Sequence, residues 1–276
     1  MNDNVRVDCM STLKPGDGAR ALLGFRDGIN GPHAARTMML DDITKLLSCL
    51  PEDATKADYA SAVIDSNCLG KPTKKARELA FRHLAALYGL DQNLPLFRVF
   101  RRYWSHDVDA RPVLALSVAL ARDPLLRMTQ DFIVSKPPGC PVTREEVEQL
   151  LRAACPDRFS PASLEAFAQR INGTWTQAGF LTGKVDKRRA VPVVRYTNVA
   201  FSLFLGYLEG LSGDRLLSSR WVNLLCLTPD EVIDLATSAS HHGLLVFLHA
   251  GGVTEVRFPG YLTEQEEQWR QEGSHV

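Results

Sequence analysis

Apolar residues recur at helical spacing through most of the chain. Met38, Leu40, Ile43, Leu46, Leu47 and Leu50 share one face and predict a helix over 33–50, stopped by Pro51. Residues 56–66 predict a second short helix, with Tyr59, Ala62, Val63 and Ile64 available for a core. A turn rich in Asn, Gly and Pro follows, and Thr73 is placed to cap a helix over 74–88 that ends at Gly89. That helix has an apolar back (Ala76, Ala80, Phe81, Leu84, Leu87, Tyr88) and a basic front (Lys74, Lys75, Arg82, with Arg77 on the flank). A helix over 95–104 and one long helix over 111–134 come next.

Residues 135–141 hold three prolines and one glycine and predict a linker. Beyond it, Thr143 and Glu146 form a capping-box pattern that opens a helix to about 154. Ser160-Pro161 opens another, whose apolar stripe is Leu164, Phe167, Ala168, Ile171, Trp175 and Ala178. Its outer face carries Gln169, Arg170, Asn172, Thr176 and Gln177. A basic hairpin flanking an extended segment is predicted over 180–196. Helix, turn, helix, basic hairpin is the order of a winged helix. Apolar helices over 198–211 and 214–225, a Thr228-to-Glu231 capping box with a helix to 240, and a hairpin around Gly251-Gly252 complete the pattern.

The prediction is a mainly α protein with small β-hairpins, containing winged helix-turn-helix-like modules. Its expected divisions are a loose arm (1–20), an N-terminal helical unit (21–136), a winged-helix-like unit with two hairpins (141–262) and a mobile acidic tail (263–276).

Composition adds limits. The 276 residues are 45% hydrophobic and 23% charged, which excludes a mostly disordered or collagen-like chain. The six cysteines show no CxxC spacing, so zinc is not expected, and their scatter fits a reducing cytosol. Residues 113–121 are too few to span a bilayer, for which about 20 apolar residues are needed. No phosphate loop, nucleophile elbow, HExxH or dinucleotide fingerprint occurs, and no catalytic residue, metal or cofactor is assigned. His241-His242 reads as a helix C-terminus favoured by the dipole.

Charge is more informative. Lys plus Arg number 32 and Asp plus Glu number 32, so the total is neutral. Yet residues 71–102 carry eight cations (Lys71, Lys74, Lys75, Arg77, Arg82, Arg98, Arg101, Arg102) against Glu78 and Asp91, a net of +6. Residues 184–195 carry Lys184, Lys187, Arg188, Arg189 and Arg195 against Asp186, a net of +4, and the remainder is −10. Clustered cations on one face are what phosphate binding requires, because counterion release supplies much of the affinity. The expected site is therefore Lys71, Thr73, Lys74, Lys75, Arg77 and Arg82 on one unit, with Gln169, Arg170, Lys184, Lys187, Arg188 and Arg189 on the other. The expected ligand is double-stranded DNA, held mainly through phosphates. An acidic protein partner and RNA are the two other readings. Phe97, Phe100, Tyr103 and Trp104 are expected as core rings under arginine stems.

The run Asn67-Cys68-Leu69-Gly70-Lys71-Pro72-Thr73, followed by a basic helix, resembles the N-L-L-G-K-x-[ST] signature of the BrxA family. Those proteins are accessory components of bacteriophage-exclusion (BREX) systems. Arg82-His83-Leu84, Leu87 to Asp91, Leu96-Phe97-Arg98, Ala121 to Arg127 and the stretch 174–181 are also similar to the family, in order across about 25–260. Cys68 stands where the family more often has Leu. The resemblance implies a helical, non-catalytic, cytoplasmic duplex-DNA-binding protein of an antiviral defence operon, alongside other defence components. By position it implies roles for Lys71, Thr73, Lys74 and Lys75.

Overall fold

A computed structural model describes residues 17–28 and 31–273; of the loose arm expected over 1–20, residues 1–16 lie outside the described residues and 17–20 are instead the start of a helix. The chain is mainly helical, with two two-stranded antiparallel hairpins. In order, α1 (Asp17–Leu23), a 3-10 turn (Pro32–Ala34), α2 (Leu40–Cys49), α3 (Lys56–Ile64), α4 (Lys74–Tyr88), α5 (Pro95–Trp104) and α6 (Arg111–Arg122) lead to two short helices, α7 (Pro124–Arg127) and α8 (Gln130–Ser135). Then α9 (Arg144–Ala154), α10 (Pro161–Gln177), β1 (Leu181–Thr182) and β2 (Arg188–Arg189) form the first helix-plus-hairpin group. The remainder is α11 (Tyr196–Leu208), α12 (Asp214–Leu217), α13 (Arg220–Asn223), α14 (Pro229–His241), β3 (Val246–Ala250), β4 (Val253–Arg257) and α15 (Glu264–Gly273).

Helix starts follow the caps read from sequence. The Thr73 hydroxyl accepts from Ala76 N, the Ser160 hydroxyl from Ser163 N, and Thr143–Glu146 and Thr228–Glu231 are complete capping boxes. The long helix expected over 111–134 is instead three helices. Pro124 cannot donate to the helical ladder, and Asp123 turns back to accept from Leu125 N and Leu126 N as a new N-cap. The helix expected over 33–50 begins only at Leu40, because Met39 sits in the left-handed region at φ 52°. The helix expected over 214–225 divides at Ser219, whose hydroxyl caps α13.

Nearly every residue of α11 from Thr197 to Gly206 is buried, so it is apolar on all sides. It packs against α5 and α6 on one side and α13 and α14 on the other. The rings of α5 point into this core as expected: Phe100 lies 5.2 Å from Trp104 and 6.2 Å from Phe201, and Tyr103 donates to Leu244 O. Buried side chains before and after the proline-rich segment form one cluster.

The acidic tail is ordered as far as Gly273. Glu264–Gly273 is a helix packed on α1. Glu266 is buried, accepts from Thr263 N as a cap, and takes two bonds from the Arg98 guanidinium. The acidic composition predicts a mobile tail; the pair of half-buried Arg98 with buried Glu266 holds this helix on the body of the chain.

Residues 31–38 cross α10 and are held by a buried polar knot. Asp123 Oδ2 accepts from His33 N at 2.6 Å and lies 2.8 Å from His33 Nδ1. His33 Nε2 is 2.7 Å from Thr174 Oγ1, which also accepts from Met38 N at 2.9 Å. Gly31 must be glycine here, because a Cβ would fall 1.8 Å from Asp123 Oδ1.

Candidate nucleic-acid interface

The proline-rich segment is part of the wing rather than a free linker. Gly139 N donates to Arg189 O, Arg189 N to Cys140 O, and Val142 N to Lys187 O, while Pro141 bridges Arg188 in antiparallel register. Residues 139–142 thus form a third, irregular edge beside β2, and β2 pairs with β1. The turn between β1 and β2 requires Gly183: its φ is +95°, and a Cβ would meet Asp186 O at 2.1 Å.

A groove of about 630 Å³ lies between this hairpin, the start of α9 and one side of α10. Gln169 and Asn172 line it from α10, Arg144 from α9, and Lys184, Lys187 and Arg188 from the hairpin. Lys184 is exposed and has no hydrogen-bond or ion-pair partner among the described residues. Lys187 Nζ donates to Gly183 O, and one Arg188 nitrogen donates to Gly139 O at 3.0 Å. Arg144 is engaged by Glu145, Glu148 and Glu165. Asn172 is buried, and its Oδ1 has no hydrogen-bond partner.

Two expected residues do not face this groove. Arg189 is 4% exposed. Its guanidinium donates to Ile133 O at 3.0 Å, Phe180 O at 3.2 Å, Ala190 O and Cys226 Sγ, and lies over the Phe180 ring. Neighbouring strand residues point to opposite faces, so an exposed Arg188 implies an inward Arg189. Arg170 leaves from the other side of α10 and donates to Ala34 O at 2.6 Å.

The first cluster is similarly thinned. Lys71 Nζ is paired with Asp42 at 2.8 Å, and Arg77 donates to Ile64 O, closing the end of α3. Arg98 holds Glu266, and the buried Arg101 donates to Leu47 O and Leu50 O at the end of α2. Arg102 lies 4.7 Å over the Tyr261 ring. Carbonyl oxygens at helix C-termini carry partial negative charge, so these arginines meet their anions inside the fold. Lys74, Lys75 and Arg82 are left exposed on α4 without a partner among the described residues.

The signature turn has a structural account. Asn67 Oδ1 accepts from Lys71 N, Asn67 and Gly70 take φ of 53° and 67°, and Thr73 caps α4. No family model matches the chain, and no curated protein matches it significantly. No helix among the described residues is long and apolar enough to cross a membrane.

Arg36 was not marked by the sequence pattern, because it stands alone between two helices. It is exposed on the loop that crosses α10, and its side chain has no hydrogen-bond or ion-pair partner among the described residues. Burial, then the charges of Arg36 and Arg82, lower the His83 pKa, so these three side chains lie within electrostatic reach of one another. Their signal is tertiary: residue 36 reaches residue 82 only once the loop is folded down.

Proposed function

We propose that the chain is a non-catalytic protein that binds double-stranded DNA through α10 and the wing formed by β1 and β2. The observation that carries this is the groove, where Gln169, Lys184, Lys187 and Arg188 meet beside the outward ridge of α10. The order of elements supports it: α8, the extended 139–142, α9, α10, β1, turn, β2, with 139–142 edging β2. That order is a winged helix, in which the last helix enters a groove and the wing follows the backbone. The exposed ridge of α10 at Ala162 and Gln169 is small and polar, which permits close approach to base edges. Glu165 on that ridge is paired with Arg144 at 2.8 Å, a guanidinium it shares with Glu145 and Glu148.

The resemblance to BrxA proteins supports a place in a bacteriophage-exclusion system, with other defence components as neighbours in the cytoplasm. Duplex DNA is favoured over RNA because a helix such as α10 fits the roughly 12 Å wide major groove of B-DNA. A-form RNA hides its base edges in a deep, narrow major groove.

Anisotropy of a labelled 20-base-pair duplex across a salt series tests the reading. Affinity should fall steeply with salt, with a log–log slope of about −0.9 per phosphate contacted. Lys184→Glu with Lys187→Glu should weaken binding by roughly tenfold or more at low salt, since two contacts are lost and two repulsions added. Unchanged binding in that variant, or stronger competition by structured RNA than by duplex, would defeat the proposal.

A further inference from the structure

We infer that the loop over 31–38 is a second phosphate-contacting flank of α10, with Arg36 as its contacting side chain, so that one duplex is gripped on both sides of the helix. The inference rests on the reading of α10 and its wing as the duplex site. It adds an element and a residue to which neither the sequence pattern nor the groove assigns a role.

A helix lying in a major groove about 12 Å wide has a phosphate backbone on either side. The wing serves one of these. On the other side of α10 stands the loop, and it is fixed there. Arg170 donates to Ala34 O, Thr174 Oγ1 holds His33 and Met38, and the Thr37 methyl sits 3.2 Å from where a Gly173 Cβ would be. The loop therefore has little freedom relative to the helix it flanks. A cation carried on it is preorganised, and less ordering is required on binding.

Arg36 is that cation. The charged groups that act on neighbouring His83 are Arg36 and Arg82, both positive. The Arg36 side chain is exposed and meets no carboxylate among the described residues, so a phosphate brought to it finds a cation not already paired. Along α4, Lys75 lies seven residues before Arg82 on the same face, about 10.5 Å away. The turn over 32–34 touches both α4 and α10, so this loop stands between the two basic clusters that the sequence shows as separate.

Arg36→Gln and Arg36→Glu, beside Lys184→Glu with Lys187→Glu, test this in the same 20-base-pair titration. Arg36 is exposed, so both variants should melt with the unaltered protein. Removing one phosphate contact should reduce the salt slope by about 0.9 and affinity at low salt by roughly fivefold, with Arg36→Glu weaker still. If the wing variant loses binding while Arg36→Gln keeps the parent slope and affinity, the flank is refuted and the duplex site stands. If the wing variant binds as well as the parent, or the parent does not bind duplex, the duplex site fails and this inference falls with it.

Discussion

Asp123→Ala is expected to lower the stability of the folded chain by about 4 kcal/mol, the range for removing one member of a buried charged network. Asp123 is fully buried and receives His33 N, His33 Nδ1, Leu125 N and Leu126 N. Alanine leaves all four donors without an acceptor and removes the cap of α7. A chain of this size loses roughly 2–4 °C of Tm per kcal/mol, so the melting transition should drop by about 10 °C or more. Asp123→Asn keeps an oxygen for the cap but turns an amide N–H toward the His33 donors; its loss should be smaller but clear.

The same group fixes the sign of an acid dependence. Burial alone would raise the Asp123 pKa, but the hydrogen bonds and charge of His33 outweigh it and hold the carboxyl below the usual range. A carboxyl depressed in the folded state stabilises it above the unfolded pKa, and that stabilisation is lost as pH falls through the folded value. Stability should therefore decline below the ordinary carboxylate range. Asp123→Asn should decline less steeply there, in denaturant titrations repeated from neutral to acid pH.

Arg189→Glu is expected to abolish folding or to cost at least about 4 kcal/mol, because it places an acid against three carbonyl oxygens and leaves them without donors. Loss of DNA binding in that variant would report loss of the wing, not loss of a phosphate contact. Arg189→Met separates the two effects. It keeps the stem packed over Phe180 and should melt lower by about 3 kcal/mol of stability, while its folded fraction keeps the parent salt slope. A reduced slope in folded Arg189→Met would instead place Arg189 at the phosphates. Thermal melts and duplex titrations on the same samples distinguish these.

Much of the fold was legible because local signals agreed. Thr73, Ser160-Pro161 and the Thr143 and Thr228 capping boxes begin helices where they were expected, and the stripe Leu164 to Ala178 is buried as read. The break at Pro124 was legible too, in Asp123-Pro124, but the apolar run around it masked it. The candidate site was half legible. Charge counting found Lys74, Lys75, Arg82, Lys184 and Arg188, which the fold leaves exposed, and half-buried Lys187 at the groove. It could not find that Arg77, Arg98, Arg101 and Arg189 are consumed by carbonyls or a carboxylate, because those acceptors come from elements far away in sequence. Arg36 escaped for the converse reason: a solitary cation gains meaning only from neighbours that folding supplies.

The knot of His33, Asp123 and Thr174 ties three stretches of chain with directional bonds rather than grease. Thr174 belongs to α10, while its partners come from before the proline-rich segment. The faces of α11 are divided in the same way: Phe201 leans on Phe100 and Tyr103. A fragment beginning at Lys136 would carry an entire wing and an entire α10, yet it would expose one flank of α11 and strand the Thr174 hydroxyl. The half that holds α10 and the wing is thus not a transplantable cassette. Any lineage or designer exchanging it must exchange the residues around His33, Phe100 and Asp123 with it.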